Sequence, residues 1–356
     1  MNLAALGAAG ATAIVQATAQ PAPRVDLQLV APTTHGRWTL SVTNASPIPV
    51  RILADLRLLS LDVTPRSSRT VHCELPEDMR PDDDLAGRRL VLPPGRSYAE
   101  SFDARLFCFG DTRLDAIAPG AAVVAHLGWG KTASARSRLV VAPAAGASTA
   151  FAGLGRLDSP AVAVPDEPTE APRLANTGLS NTSGDRDPEA PRLRLESARA
   201  VDAESSTYAE IPVTIENRGT RSVTVRFRPE TLSFDVDGPN GSEHCPWPIP
   251  PASATVDAFT TLAPRETTTL SVLLASYCRG RVMGLPGLIF VRPSLDTTHA
   301  SGRELDIPSF GGVVTAERPT LLRLRHAARN QVPQPVPEPE PQLEPLDSPA
   351  LRGAPQ

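Results

Sequence analysis

Lysine is almost missing from this chain, Lys131 being the single one among 35 basic residues. The arginines that carry the positive charge are scattered rather than striped, and the formal net charge is -4. That excludes the basic footprint of a nucleic-acid-binding surface. Long apolar runs are also absent: beyond the N-terminal segment nothing approaches the ~20 residues of a membrane span. No transmembrane segment is therefore expected in the mature chain. Runs with helical spacing are scarce too, which argues against a bundle. None of the six histidines stands in a Gly-x-Ser-x-Gly or His-Glu-x-x-His context, and no phosphate-cradling glycine loop follows a strand. The chain reads as a non-enzyme that needs no cofactor.

What is abundant is proline, 38 of 356 residues, among stretches that alternate apolar and polar. Short strands and many turns follow from that pattern. Trp38, Leu40 and Val42 alternate strictly, Asn44 to Pro47 turns the chain, and Val50 and Ile52 resume the alternation. Leu59, Leu61 and Val63 continue it, as do Val71, Cys73 and Leu75. An acidic loop with Asp82-Asp83-Asp84 follows, and Leu92-Pro93-Pro94-Gly95 leads to a strand with Phe102, Ala104, Leu106 and Cys108 in phase. Arg138 to Ala142 is read as the closing strand.

The second half echoes this order. Ile211, Val213 and Ile215 repeat the Trp38 stripe, Asn217 repeats Asn44, and Leu232-Ser233-Phe234-Asp235-Val236 repeats Leu59-Ser60-Leu61-Asp62-Val63. His244-Cys245 repeats His72-Cys73, and Leu262-Ala263-Pro264 repeats Leu92-Pro93-Pro94. Length changes fall between strands, where loops tolerate them. Four cysteines allow three pairings, and the duplication selects a bridge within each copy: Cys73 with Cys108 and Cys245 with Cys278. Such bridges persist in oxidising compartments. Leu3 to Val15 is small and apolar, and Ala17-Thr18-Ala19 fits a cleavage site, although a basic n-region is missing. A signal peptide over 1–19 and a secreted or periplasmic location are the resulting expectations.

The core and turn positions, from Trp38-x-Leu40-x-Val42-x-Asn44 to Pro119-Gly120 before Val123-Val124, resemble bacterial immunoglobulin-like sandwich modules. The cell-adhesion-related bacterial domains and the Ig-like domain of intracellular proteinase inhibitors are similar. The resemblance implies an all-β fold of two tandem Ig-like β-sandwich domains, at 24–143 and 191–312. Between them 144–190 is expected as a flexible, disordered linker that lets the domains move independently, and 313–356 as a Pro/Glu-rich disordered tail. Antibody-type domains place a tryptophan between their cysteines, whereas Trp38 precedes both here. The bridges are therefore expected to pin an inter-strand connection to a strand end.

Chemistry could reside in the paired His-Cys motifs, where His72 and His244 with the cysteines could offer soft ligands to zinc or copper. Alternation along the strand argues against it, turning Cys73 inward and His72 to solvent. Trp247 is a candidate anchor for a partner, with packing beside the disulfide as the plainer role. The leading reading is a binding or structural module for an unknown protein or glycan. The alternatives are a secreted proteinase inhibitor acting through the loop Pro76 to Arg89, and a metal-binding protein using the His-Cys pairs.

Overall fold

The computed structural model describes residues 24–66, 69–81, 89–129, 139–144, 153–166, 192–249, 255–278, 280–299 and 302–327. The expected signal peptide, Asp82-Asp83-Asp84, most of 144–190 and the chain from 328 onward lie outside the described residues.

The fold is all-β, with one short α-helix among the described residues. The first half contains β1 (Val25–Val30), β2 (Arg37–Asn44), β3 (Val50–Leu53), β4 (Leu59–Thr64), β5 (Val71–Glu74), β6 (Arg89–Leu92) and β7 (Ser97–Asp103). After these come α1 (Asp111–Ala116), β8 (Ala122–Gly128), β9 (Val141–Pro143), β10 (Arg156–Asp158) and β11 (Val162–Ala163). They pair as β1-β2-β7, as β10-β8-β4-β5 with β11 also on β8, and as β6-β3-β9. The second half contains β12 (Leu193–Ser197), β13 (Ala200–Ala203), β14 (Glu210–Asn217), β15 (Val223–Val225), β16 (Leu232–Gly238) and β17 (Gly241–Pro246). It closes with β18 (Thr260–Leu262), β19 (Thr267–Leu273), β20 (Gly287–Asp296), β21 (Val313–Thr315) and β22 (Thr320–Leu324). These pair in a corresponding order: β12-β14-β19, β13-β22-β20-β16-β17 with β21 on β20, and β15-β18.

Period-two patterning explains the layers. In β2 the buried positions are Trp38, Leu40, Val42 and Asn44, and in β14 they are Ile211, Val213, Ile215 and Asn217. Each such apolar side chain contributes roughly 1.5–3 kcal/mol on burial. Residues 27–164 form one apolar core and 195–324 a second. Trp38 packs edge-on to Phe102, and Phe102 edge-on to Phe107. The two buried asparagines perform the same task. Asn44 Nδ2 donates to the carbonyls of Ile48 and Leu92, both at 2.8 Å, and its Oδ1 accepts from Ser46 N at 3.0 Å. Asn217 donates to Arg221 and Leu262, both at 2.9 Å, and accepts from Gly219 N at 2.9 Å. A buried amide with all these bonds made fixes a turn to a neighbouring strand; apolar replacement would leave the carbonyls unpaired.

Both disulfides are present, Cys73–Cys108 and Cys245–Cys278. Cys73 lies on β5, at the edge of its sheet. Its partner follows the 3-10 turn Ala104–Leu106 that ends β7. The bridge thus ties the two main sheets of the first half at one end. It also positions Phe109, which belongs to a small cluster with Leu114, Leu288 and Leu321 that joins the two halves.

That joint departs from the expectation of independent units. Arg323 of β22 lies over the Phe109 ring at 4.4 Å and donates to the Leu106 carbonyl at 3.3 Å. Arg105 lies 4.9 Å over the Phe290 ring. Ion pairs rim the contact: Arg199 with Asp115 at 2.6 Å, and Arg325 and His326 with Asp78, both at 3.3 Å. Three expected boundaries also move. Within the supposed linker 144–190, β10 and β11 pair with β8 and bury Leu157 and Val164 in the first core. The supposed tail 313–356 begins with β21 and β22, and all five residues of β22 are buried. The strand expected through Cys108 ends at Asp103, where the side chain caps the following turn by accepting from Arg105 N.

Candidate functional site

The polar face of the β10-β8-β4-β5 sheet carries a cluster of ionisable groups, and strand register places them. Asp62 stands opposite His72, and Asp158 opposite His126. Alternation sends Leu61, Val63 and Cys73 into the core, which turns Asp62 and His72 outward. Side chains directly across an antiparallel pair are close enough to bond. The result is a ladder across four strands. His72 Nε2 faces Glu74 Oε2 at 3.2 Å and His72 Nδ1 faces Asp62 Oδ1 at 2.7 Å. Asp62 Oδ2 meets His126 Nε2 at 3.0 Å, and His126 Nδ1 meets Asp158 Oδ1 at 2.7 Å.

Arginines flank the ladder. Arg156 donates from Nε to Asp158 at 2.6 Å, and its Nη2 lies 2.6 Å from His126 Nδ1. Arg80 donates from Nε to the Leu75 carbonyl at 3.0 Å and pairs through Nη2 with Glu74. Arg57 forks onto the buried carboxylate of Asp55, with Nη2 at 2.7 Å. These three guanidiniums, with Asp62, His72 and the half-buried Trp129, line a pocket of about 360 Å³. Gly128 forms part of its wall with φ at +147°, and a Cβ there would meet the Gly155 carbonyl at 2.5 Å. Only glycine lets β8 and β10 approach so closely.

The carboxylates respond to this setting in one direction. Burial pushes Asp62 up, but hydrogen bonds from His72 and His126 outweigh it and hold the group below the usual aspartate value. Burial likewise raises Glu74 and Asp158, and bonds from Arg80 and His72, and from Arg156 and His126, bring both below their ordinary values. A depressed carboxylate stabilises the fold above the unfolded range, and that stability is lost as the pH falls through the folded value. Thermal melts in acid are therefore expected to fall steeply below about pH 4, and Asp62→Asn is expected to flatten that fall. An unchanged slope in the variant would remove Asp62 from the account.

Ser60 stands opposite His126 in register, so Ser60, His126 and Asp158 lie in a row across three strands. The row does not make a nucleophile relay, because His126 Nε2 is bonded to Asp62. The metal alternative loses its thiol ligands, since all four cysteines are in disulfides. His72 faces carboxylates rather than Cys73, and His244 pairs with Asp235 at 2.7 Å. Among the described residues no group of three or more His, Cys, Asp or Glu is disposed to hold a metal. Trp247 is half-buried and packs edge-on against Tyr277 at 5.1 Å, and Phe234 also packs edge-on against that ring, at 4.7 Å. It belongs to the second core, beside the disulfide. The Tyr277 phenol donates to the Pro229 carbonyl at 2.8 Å, and burial, then Glu230, pushes its ionisation up. In the proposed inhibitory loop, Asp78 is engaged by Arg325 and His326, and 82–88 lie outside the described residues.

Asp62, His126, Asp158, Arg156 and Trp129 were not singled out from sequence. A signal existed for the first: the duplication matches Asp62 and His72 with Asp235 and His244, which pair in the second half as well. Asp158 and Arg156 were hidden by the linker-like composition around them.

No family model matches the chain, and no curated protein matches it. Among solved structures, red sea bream transglutaminase is similar over 83% of this chain and 31% of that chain, with 9% sequence identity and a TM-score of 0.20. The chain thus spans about a third of that protein's length, and so slight a likeness carries no argument about fold or activity. Among the described residues no helix is long and apolar enough to cross a membrane.

Proposed function

We propose that the chain is a non-enzymatic extracytoplasmic binding module, built from two immunoglobulin-like β-sandwiches in tandem, and that its ligand is a glycan held in the Trp129 pocket. The observation that carries this reading is the pocket itself. At about 360 Å³ it combines one indole with guanidiniums, carboxylates and an imidazole. Ligand sites of this size pair an apolar surface with a few placed polar groups, and a sugar ring presents the matching pattern of a C–H face and a rim of hydroxyls. Two disulfides support the extracytoplasmic half of the reading.

The test is a glycan array probed with the full, disulfide-intact chain and with Trp129→Ala. Retention of a small related set of glycans is expected, weakened about tenfold or more in the variant. Retention of no glycan, or retention indifferent to Trp129, would overturn the pocket as the binding site.

A further inference from the structure

Resting on the reading of the pocket as a sugar site, we infer that its ligand is an acidic sugar, one with a carboxylate on the ring, and that protonation of His126 and His72 opens the pocket to it.

The first argument is charge. Three guanidiniums, Arg57, Arg80 and Arg156, stand against four carboxylates, Asp55, Asp62, Glu74 and Asp158. Asp55, Asp158 and His126 lie outside the lining itself; over this whole cluster the charge is one negative in excess with both imidazoles neutral and one positive in excess with both protonated. The two histidines therefore set the sign of the charged cluster around the pocket. Imidazole is the side chain that changes charge between about pH 5 and 8.

The second argument is geometric. His126 Nδ1 has two partners of opposite demand: the Arg156 Nη2 donor at 2.6 Å and the Asp158 acceptor at 2.7 Å. Unprotonated, Nδ1 accepts from Arg156; protonated, it donates to Asp158 and can no longer accept. Protonation thus hands Nδ1 from the arginine to the aspartate and releases Arg156 Nη2. Arg156 lines the pocket, and its Nε stays on Asp158, so the guanidinium remains anchored while the freed edge meets a ligand. A carboxylate is the group whose geometry that edge matches.

Nε2 of His126 faces Asp62 from β4, so the other N–H of the protonated ring donates to a carboxylate that also bonds His72. On the β5 side, Glu74 faces His72 and is itself paired with Arg80. Every ring nitrogen of both histidines has a carboxylate within 3.2 Å. Only the doubly protonated rings satisfy all four contacts as donors.

The experiment titrates the full, disulfide-intact chain with D-glucuronate and, as the neutral counterpart, D-glucose, by calorimetry at about pH 5.5 and about pH 8. Glucuronate is expected to bind on the order of tenfold tighter at the acidic pH, while glucose shows no such change. Arg156→Gln is expected to erase the preference for glucuronate. His72→Gln replaces a half-exposed side chain and is expected to fold as the parent does, reducing the pH response to about threefold; matching melting curves would verify that. Equal glucuronate affinity at both pH values, or affinity unchanged by Arg156→Gln, would overturn the inference. Glucose binding as tightly as glucuronate would also overturn it while leaving the sugar site standing. Silence of the pocket toward both sugars overturns it as well, and the glycan array then judges the wider reading by itself.

Discussion

Removing the first disulfide, as Cys73→Ala with Cys108→Ala, is expected to destabilise the first half by roughly 3 to 4 kcal/mol, the loop-closure entropy returned to an unfolded chain cross-linked over a separation of 35 residues. Against a net stability of ~5 to 15 kcal/mol this is a large fraction. Alanine suits the test because both sulfurs are buried and a hydroxyl in their place would add an unpaired polar group. The effect should reach beyond the first core. Phe107 and Phe109 flank Cys108, one packed against Phe102 and the other under Arg323 in the joint. Loss of the bridge should therefore loosen the contact between the halves along with the sheet edge. Urea denaturation should show an earlier first transition, and a midpoint unmoved from the parent would contradict the stapling role.

Arg323→Ala is expected to cost roughly 1.5 to 3 kcal/mol, because it removes a buried guanidinium from its charge-assisted hydrogen bonds to the partly exposed Asp202. Burial raises Asp202, and bonds from Arg323 and Arg325 outweigh that and hold it below the ordinary aspartate value. With Arg323 gone, Arg325 remains at 3.0 Å but the carboxylate loses its main partner. The same substitution deletes the cation over Phe109 and the donor to the Leu106 carbonyl, two of the contacts that cross between the halves. Solution scattering should then report a longer particle, and Arg323→Lys should recover only part of the loss, since an ammonium cannot fork onto Asp202 while covering the ring. A variant with the parent's melting curve and scattering profile would mean that the joint is held elsewhere.

Much of the sheet layout was legible because alternation is a strong constraint. Trp38, Leu40 and Val42 could face only one way once one face was buried, and the matching stripe Ile211, Val213, Ile215 fixed the second half in the same register. The asparagines following each stripe were legible as turn residues, but their burial was not, because a buried amide is explained only by the three backbone groups it meets. The strands β10, β11 and β21 escaped notice for a different reason. With two or three residues each, they have too few positions to show a period, and pairing with β8 or β20 is what orders them. The joint was hidden because Arg323 reads as one more arginine in a Leu/Arg-rich stretch. Only the fold brings it over Phe109, more than two hundred positions earlier in the chain. For the same reason half the candidate site was invisible: Arg156 and Asp158 acquire meaning once β10 lies beside His126.

The measurement that bears most directly on the account is the mass of the purified chain, intact and after proteolysis, without reduction. The account predicts a chain lighter than its reduced form by two hydrogens per bridge. Its peptides should join Cys73 to Cys108 and Cys245 to Cys278 and leave no free thiol. Crossed linkages between the halves, or free cysteines in the purified protein, would contradict both the stapling within each half and the oxidising compartment proposed from it.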